Sequence, residues 1–298
     1  MATTVSFINF KGGVGKTTLC VEIAAALVDK FKERVLIVDL DPQTNATLYL
    51  MPEKAWQTHA TTNGTLKDIF ESYYAGGTMD LEKIRVRAPV QYQGRLAHLD
   101  LIPSHIELFG MDLRLATKFG HDNLQAKLFL KKALSAFQSE YTYIFVDCPP
   151  NLSLATQNGL FASDHYVIVA LAEYLSTLGI AHIQKSVGTV FDEARKLLTD
   201  LGIDGHGLVT PNLLGIIFNR IRFLTHGTSN EEEMKEQIRS RYPDRVFKNF
   251  VSQSTQFPDR AALKVPIAVS GYAVDRKYEE QLRDVAGEFY DRVTSPKK

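Results

Sequence analysis

Six short runs of apolar, largely β-branched and aromatic residues recur along the chain: Val5 to Asn9, Val35 to Asp39, Leu99 to Ile102, Tyr143 to Asp147, Tyr166 to Leu171 and Leu214 to Asn219. Their length and composition are those of strands. Most are almost continuously hydrophobic rather than alternating, and a strand apolar on both faces must be covered on both. Between them lie segments of helical spacing and length, notably Leu19 to Phe31, Ala126 to Phe137, Leu175 to Leu198 and Asp275 to Val293. Strands alternating with helices predict an α/β fold, a doubly wound, mostly parallel sheet with helices on both faces.

The stretch from Met51 to Leu96 breaks this rhythm. Thr61-Thr62-Asn63-Gly64, Gly76-Gly77 and Pro89 interrupt it, and one short helix around Leu66 to Tyr74 is all the pattern predicts. It reads as an elaborated surface region of a single domain spanning residues 1–298, because it lacks the polarity and length of an interdomain linker.

Composition narrows the function classes. With 45% hydrophobic residues in 298, the chain can bury a large core. Lysine plus arginine equals aspartate plus glutamate at 34 each, so attraction to DNA or an anionic membrane must come from a local patch rather than from net charge. Cys20 and Cys148 form no CxxC pair and have no metal-ligand spacing, so a reduced, cytoplasmic protein is expected. The N-terminus enters an apolar strand without a basic leader, and no segment reaches the roughly 18 apolar residues of a membrane-spanning helix.

The chemistry gathers just after the first strand. Lys11-Gly12-Gly13-Val14-Gly15-Lys16-Thr17-Thr18 joins a strand to a helix. Three glycines let the backbone close round an anion with its N–H groups turned inward, and the helix N-terminus adds partial positive charge. Lys16 can reach β- and γ-phosphates, the Thr17 hydroxyl can ligate Mg²⁺, and Thr18 can bond a further phosphate oxygen. The run fits G-x-x-x-x-G-K-[ST] except that Phe10 takes the first glycine position and an additional lysine, Lys11, opens the loop. ATP with Mg²⁺ is the expected ligand.

Three further segments carry polar residues at strand ends. Alternation sets Asp39 and Asp41 on one side of the chain, at the carboxyl end of the sheet where open α/β folds bind ligands. The apolar run Tyr143 to Val146 ends in Asp147-Cys148-Pro149-Pro150. Leu214 to Phe218 ends in Asn219-Arg220, where asparagine also suits a simple turn.

Taken with these residues, KGGVGKTT resembles the deviant Walker A box of the ParA/MinD family of ATPases, which includes the nitrogenase iron protein and the arsenite pump ATPase. Asp39 to Thr47 looks like the D-x-D-P-Q-x-N-A-T switch I segment of the ParA branch, and Tyr143 to Pro150 like the family's switch II. The resemblance continues through Asp100 to Ser104 and Lys264 to Ile267 and thins between Met51 and Leu96. It implies a homodimer with ATP sandwiched, in which Lys11 reaches the phosphates held by the other subunit. It further implies that Asp41 positions the attacking water, that Asp39 lies near the metal, that Asp147 holds Mg²⁺ through water, and that Asn219 contacts adenine. Lys11, Lys16 and Asp41 are thus the expected catalytic residues, and Thr17, Asp39 and Asp147 the expected metal set.

Within the family, particular residues discriminate. Neither cysteine is placed to bridge an iron–sulfur cluster between subunits. The last helix carries Tyr278, Leu282, Val285, Phe289 and Val293 at helical spacing, but Glu279, Glu280, Asp284, Glu288 and Asp291 on its polar face would be repelled by an anionic surface. That stripe is expected to pack in the core, and no stable membrane binding is expected. Arg220, Arg222, Lys235, Arg239, Arg241, Arg245 and Lys248 fall where relatives carry a basic patch for non-specific DNA binding, although Glu231, Glu232, Glu233, Glu236 and Asp244 among them also suit an ordinary solvated helix face. The expected function is that of a Mg²⁺-dependent ATPase whose ATP-bound dimer binds DNA non-specifically, associates with the nucleoid, and positions a plasmid, chromosome or protein compartment through a ParB-like partner that stimulates hydrolysis. A membrane-associated MinD-like ATPase and an ATP-dependent metabolic ligase of related fold are the alternatives.

Overall fold

The computed structural model describes residues 1–77, 80–119, 124–205, 207–221, 230–254 and 256–295. Its strands are β1 (Thr3–Ile8), β2 (Val35–Asp39), β3 (Val86–Arg87), β4 (Leu99–Ile102), β5 (Tyr143–Asp147), β6 (His165–Ala170) and β7 (Asn212–Phe218). They form one sheet in the order β3-β4-β2-β5-β1-β6-β7, parallel throughout except for β3 on β4. Because β5 lies between β1 and β2, the register sets Phe7 and Asp39 on either side of Asp147. The loop after β1 and both strand-end aspartates therefore meet at one carboxyl edge, where such sheets bind ligands.

The helices are α1 (Lys16–Phe31), α2 (Asn45–Leu50), α3 (Glu53–Thr62), α4 (Leu66–Tyr74), α5 (Leu81–Ile84), α6 (Leu108–Phe119), α7 (Leu124–Leu134), α8 (Leu154–Ala162), α9 (Tyr174–Asp200), α10 (Asn230–Arg241), α11 (Gln256–Leu263) and α12 (Arg276–Thr294). Successive strand residues point to opposite faces, and both faces are covered. In β5, Ile144 and Val146 join the core that contains Phe129, Phe161 and Phe191 of α7, α8 and α9, while Tyr143 and Phe145 join the core built by α1 and α12. Phe289 of α12 meets Tyr143 and Phe145 edge-on, with centroids 5.9 and 5.2 Å apart. The apolar stripe of the last helix, with Leu282, Val285 and Phe289 fully buried, is thus core packing as expected.

Two expectations need correction. The run Ala126 to Phe137 ends as an α-helix at Leu134 and continues as a single 3₁₀ turn, Ser135–Phe137. The stretch 51–96 is more regular than its sequence suggests, holding α3, α4, α5 and the edge strand β3. A Thr65/Asp68 capping box starts α4, which buries Leu66, Ile69 and Phe70, and Asp80 caps α5. The buried Arg85 guanidinium ties this region to the sheet through Tyr141 and Glu140, each at 2.7 Å. Among the described residues no helix is long and apolar enough to cross a membrane.

Candidate functional site

The loop between β1 and α1 is held from three sides. Asn9 donates to the Val169 carbonyl on β6 at 2.7 Å and accepts the Lys11 N–H at 2.9 Å. Asn219, just past β7, donates its amide to the Val14 carbonyl at 2.9 Å, and the Arg220 guanidinium donates to the Gly13 carbonyl at 2.9 Å. A trans peptide points its N–H opposite its C=O, so anchoring these two carbonyls turns the N–H groups of Val14 and Gly15 the other way. Gly15 precedes α1 in the left-handed region (φ 92°), and no acidic residue occupies the first turn. The first helical bond runs from Leu19 to Gly15, which leaves the N–H groups of Lys16, Thr17 and Thr18 and the positive helix end free for an anion.

These groups face a cavity of about 710 Å³ lined by Gly12, Gly13, Gly15, Lys16, Thr17 and Thr18 on one side and by Asp41 on the other. Lys16 is almost fully buried. Burial lowers its pKa, against the opposing charges of Asp147 and Asp41. Fully buried Asp39 accepts bonds from the Thr47 N–H (2.8 Å), the Thr47 hydroxyl (2.7 Å) and the Asp41 N–H (3.2 Å). Burial pushes its pKa up to about 7 in spite of those bonds. Asp41 accepts the Gln43 N–H at 2.9 Å, while its carbonyl accepts the Ser104 hydroxyl at 2.8 Å. Asp39 is thereby the brace of the segment that presents Asp41.

Asp147 differs from both. It is fully buried, yet neither carboxylate oxygen closes a hydrogen bond. Burial, with the Asp39 charge adding, raises its pKa well above the carboxylate range, and the nearby Thr17 hydroxyl and Lys16 ammonium oppose that shift. An unpartnered carboxylate beside a threonine hydroxyl is a hard-oxygen donor set that suits Mg²⁺. Among the described residues no group of three or more His, Cys, Asp or Glu is arranged to hold a metal. The residues fit an ion that takes most of its ligands from phosphate and water, with Thr17 and Asp147 supplying the protein's share.

Lys11 stands apart from Lys16. It is about half exposed, and its ammonium pairs with Glu173, the residue that precedes α9, rather than lining the cavity. Tyr174, Leu175 and Leu178 follow on α9 as exposed apolar side chains. The expected basic patch is dispersed. Arg220 clamps the phosphate loop, Arg239 pairs with Glu236 at 2.7 Å, Arg245 donates to the Leu213 carbonyl at 2.7 Å, and Lys235 is buried against Glu232 and the Phe250 ring. Arg241 and Lys248 are exposed, and Arg222 lies outside the described residues.

Sequence reading missed the cavity's far wall, formed by Leu48 and Tyr49 of α2 and by Phe257, Ala261 and Ala262 of α11, with Lys264 beyond. The clearest signal for it is the lone acid Glu22 in the otherwise apolar run Leu19 to Leu27, since it bonds the Tyr49 hydroxyl.

A family model described as an AAA domain matches residues 2–199. The sporulation initiation inhibitor protein Soj of Bacillus subtilis is 31% identical over 90% of each chain. The chromosome partitioning protein ParA of Myxococcus xanthus is 27% identical over 97% of this chain and 89% of its own. The chain belongs to the ParA/MinD family. As a ParA-type ATPase it shares its fold with an Asp-to-Ala variant of Cyanothece McdA solved with ATP (TM-score 0.72, 17% identity, 100% and 98% of the two chains). It shares it also with a Mycobacterium smegmatis cobyrinic acid a,c-diamide synthase solved with ADP and magnesium (TM-score 0.68, 21% identity, 100% and 98%). The same fold thus occurs in a protein named for chromosome partitioning and in one named as a synthase, and only the site can choose between them.

Proposed function

We propose that this ParA-type chain is a Mg²⁺-dependent ATP-hydrolysing switch whose active unit is a nucleotide-sandwich homodimer. The observation that carries the reading is the separate placement of its two loop lysines. Lys16 points into a cavity with a phosphate cradle, whereas Lys11 sits outside that cavity, exposed and on the side of the apolar Tyr174, Leu175 and Leu178. A cation so placed would have to exchange Glu173 for a second subunit's nucleotide, where it would offset charge on the transferred phosphoryl group. Mg²⁺, entering with the nucleotide, would neutralise the β- and γ-phosphate oxygens. Thr17 and Asp147 would hold it, and Asp41, presented at the cavity wall by Asp39, would orient the attacking water.

In the ATP-bound dimer the protein binds DNA non-specifically and associates with the nucleoid. A ParB-like partner stimulates hydrolysis and resets the cycle, so that a plasmid, chromosome or protein compartment is moved or spaced. The relatives named for partitioning and the exposed Arg241 and Lys248 support this reading, since such cations suit backbone phosphates. The burial of the α12 stripe favours it over a membrane anchor on that helix. The test is a DNA titration with ATP, with ADP and without nucleotide at two salt concentrations. Binding confined to ATP and weakened by salt is expected; equal binding in all three states contradicts the switch.

A further inference from the structure

Glu22 lies six residues beyond Lys16 in α1 and is fully buried. Its carboxylate accepts three hydrogen bonds: from the Tyr49 hydroxyl on α2, from the Ile267 N–H at 2.9 Å and from the Ala268 N–H at 2.8 Å. The last two groups open the 3₁₀ turn Ile267–Val269 and lack partners within it. A carboxylate delivered from another helix caps them with charge-assisted bonds.

Of the segments joined in this way, α2 is one wall of the cavity beyond the phosphate loop, and the 3₁₀ turn follows α11, the other wall, in the chain. Tyr49 lines one wall from α2, and Phe257 and Ala261 line the other from α11. Helix α11 runs through Lys264 into the capped turn, and the Lys264 ammonium donates back to the Leu48 carbonyl on α2. Two ties, one from Glu22 and one from Lys264, therefore span the walls, and only the Glu22 tie also fixes them to the phosphate-loop helix.

We propose that Glu22 is a positioning residue for the end of the nucleotide remote from the phosphates, holding the α2 and α11 walls at the spacing that grips base and ribose. This rests on the reading of the cavity as a nucleotide site. Burial pushes the Glu22 pKa up to about 7, with the bonds from Tyr49, Ala268 and Ile267 opposing. The titratable groups facing it are Tyr49 and Asp275, and Asp275 is held by Arg260 at 2.6 Å and by the Ser270 hydroxyl at 2.7 Å. Ionised Glu22 accepts all three bonds. Protonated Glu22 must donate its hydrogen, and the Tyr49 oxygen is its bonded acceptor, so the Tyr49 bond reverses.

The test compares binding of Mg-ATP and of Mg-inorganic triphosphate by calorimetry at pH 8 in the wild-type protein, Glu22→Gln, Tyr49→Phe and Lys16→Ala. Glu22→Gln is expected to weaken ATP about tenfold, the scale of one lost charged hydrogen bond, while leaving triphosphate unchanged. Tyr49→Phe should move ATP in the same direction by less, and Lys16→Ala should lose both ligands. Wild-type ATP affinity in Glu22→Gln, or parallel loss of ATP and triphosphate, overturns the proposal. Should Glu22→Gln fail to fold, unchanged ATP affinity in Tyr49→Phe overturns it. If the wild-type protein binds neither ligand, the nucleotide reading itself falls, an outcome distinct from any effect at Glu22.

Discussion

The side-chain amide nitrogen of Asn219 lies 2.9 Å from the Val14 carbonyl, and a Cβ on Gly15 would fall 2.1 Å from that same nitrogen. The end of β7 and the phosphate loop are thus closed against each other at a residue with no side chain and a φ of 92°. Gly15→Ala is expected to cost about 1–3 kcal/mol in backbone strain alone. It should also expel the amide, free the Val14 carbonyl and abolish ATP binding measured by calorimetry. Asn219→Ala, which removes the tie without a clash, should weaken binding without abolishing it.

The separation of Lys11 from Lys16 predicts distinct losses. Lys16→Ala removes the only lysine lining the cradle among the described residues and should abolish ATP binding. Lys11→Ala should retain ATP binding but lose partner-stimulated phosphate release. The Lys11–Glu173 pair is partly exposed, and such pairs contribute about 0–1 kcal/mol, so the unfolding midpoint of Lys11→Ala should hardly move. Undiminished stimulated turnover in Lys11→Ala contradicts its role toward a second subunit.

Stability should depend on pH through the buried acids. Burial pushes both Glu22 and Asp39 up to about 7. Between the ordinary carboxylate range and pH 7 the folded protein therefore keeps protons that the unfolded chain has released, and stability falls as pH rises through that window. Each group contributes up to about 1.4 kcal/mol per pH unit. In nucleotide-free protein, guanidinium midpoints should be lower at pH 7.5 than at pH 5.5, and Glu22→Gln should reduce the difference. Identical pH slopes in wild type and Glu22→Gln would show that Glu22 does not titrate in this window.

The sequence announces some elements and conceals others for physical reasons. β2, β4 and β5 match their expected bounds because strands covered on both faces must be largely apolar, and the one acid inside β4, Asp100, is satisfied by the Ala88 N–H and the Tyr141 hydroxyl. β3 is two residues long, too short for any periodicity to register. α3 buries none of its residues, so it carries no apolar stripe to read, and α5 is a single turn. In the site, the loop stands out in the sequence because glycines, lysine and threonine at that spacing suit phosphate, and the three aspartates stand out because they fall at or just past strand ends that the register brings to one carboxyl edge. Arg220 does not. Its cation looks like one more member of a basic run, and only the closure of β7 on the loop brings it to the Gly13 carbonyl. Glu22, Tyr49 and Ile267 lie far apart in the chain and are joined only by folding.

The most direct test of the dimeric switch is sedimentation of Asp41→Ala, in which hydrolysis should be blocked, with Mg-ATP and with Mg-ADP. The dimeric switch requires a dimer with ATP and a monomer with ADP. A protein that binds ATP yet remains monomeric at every concentration tested would contradict it.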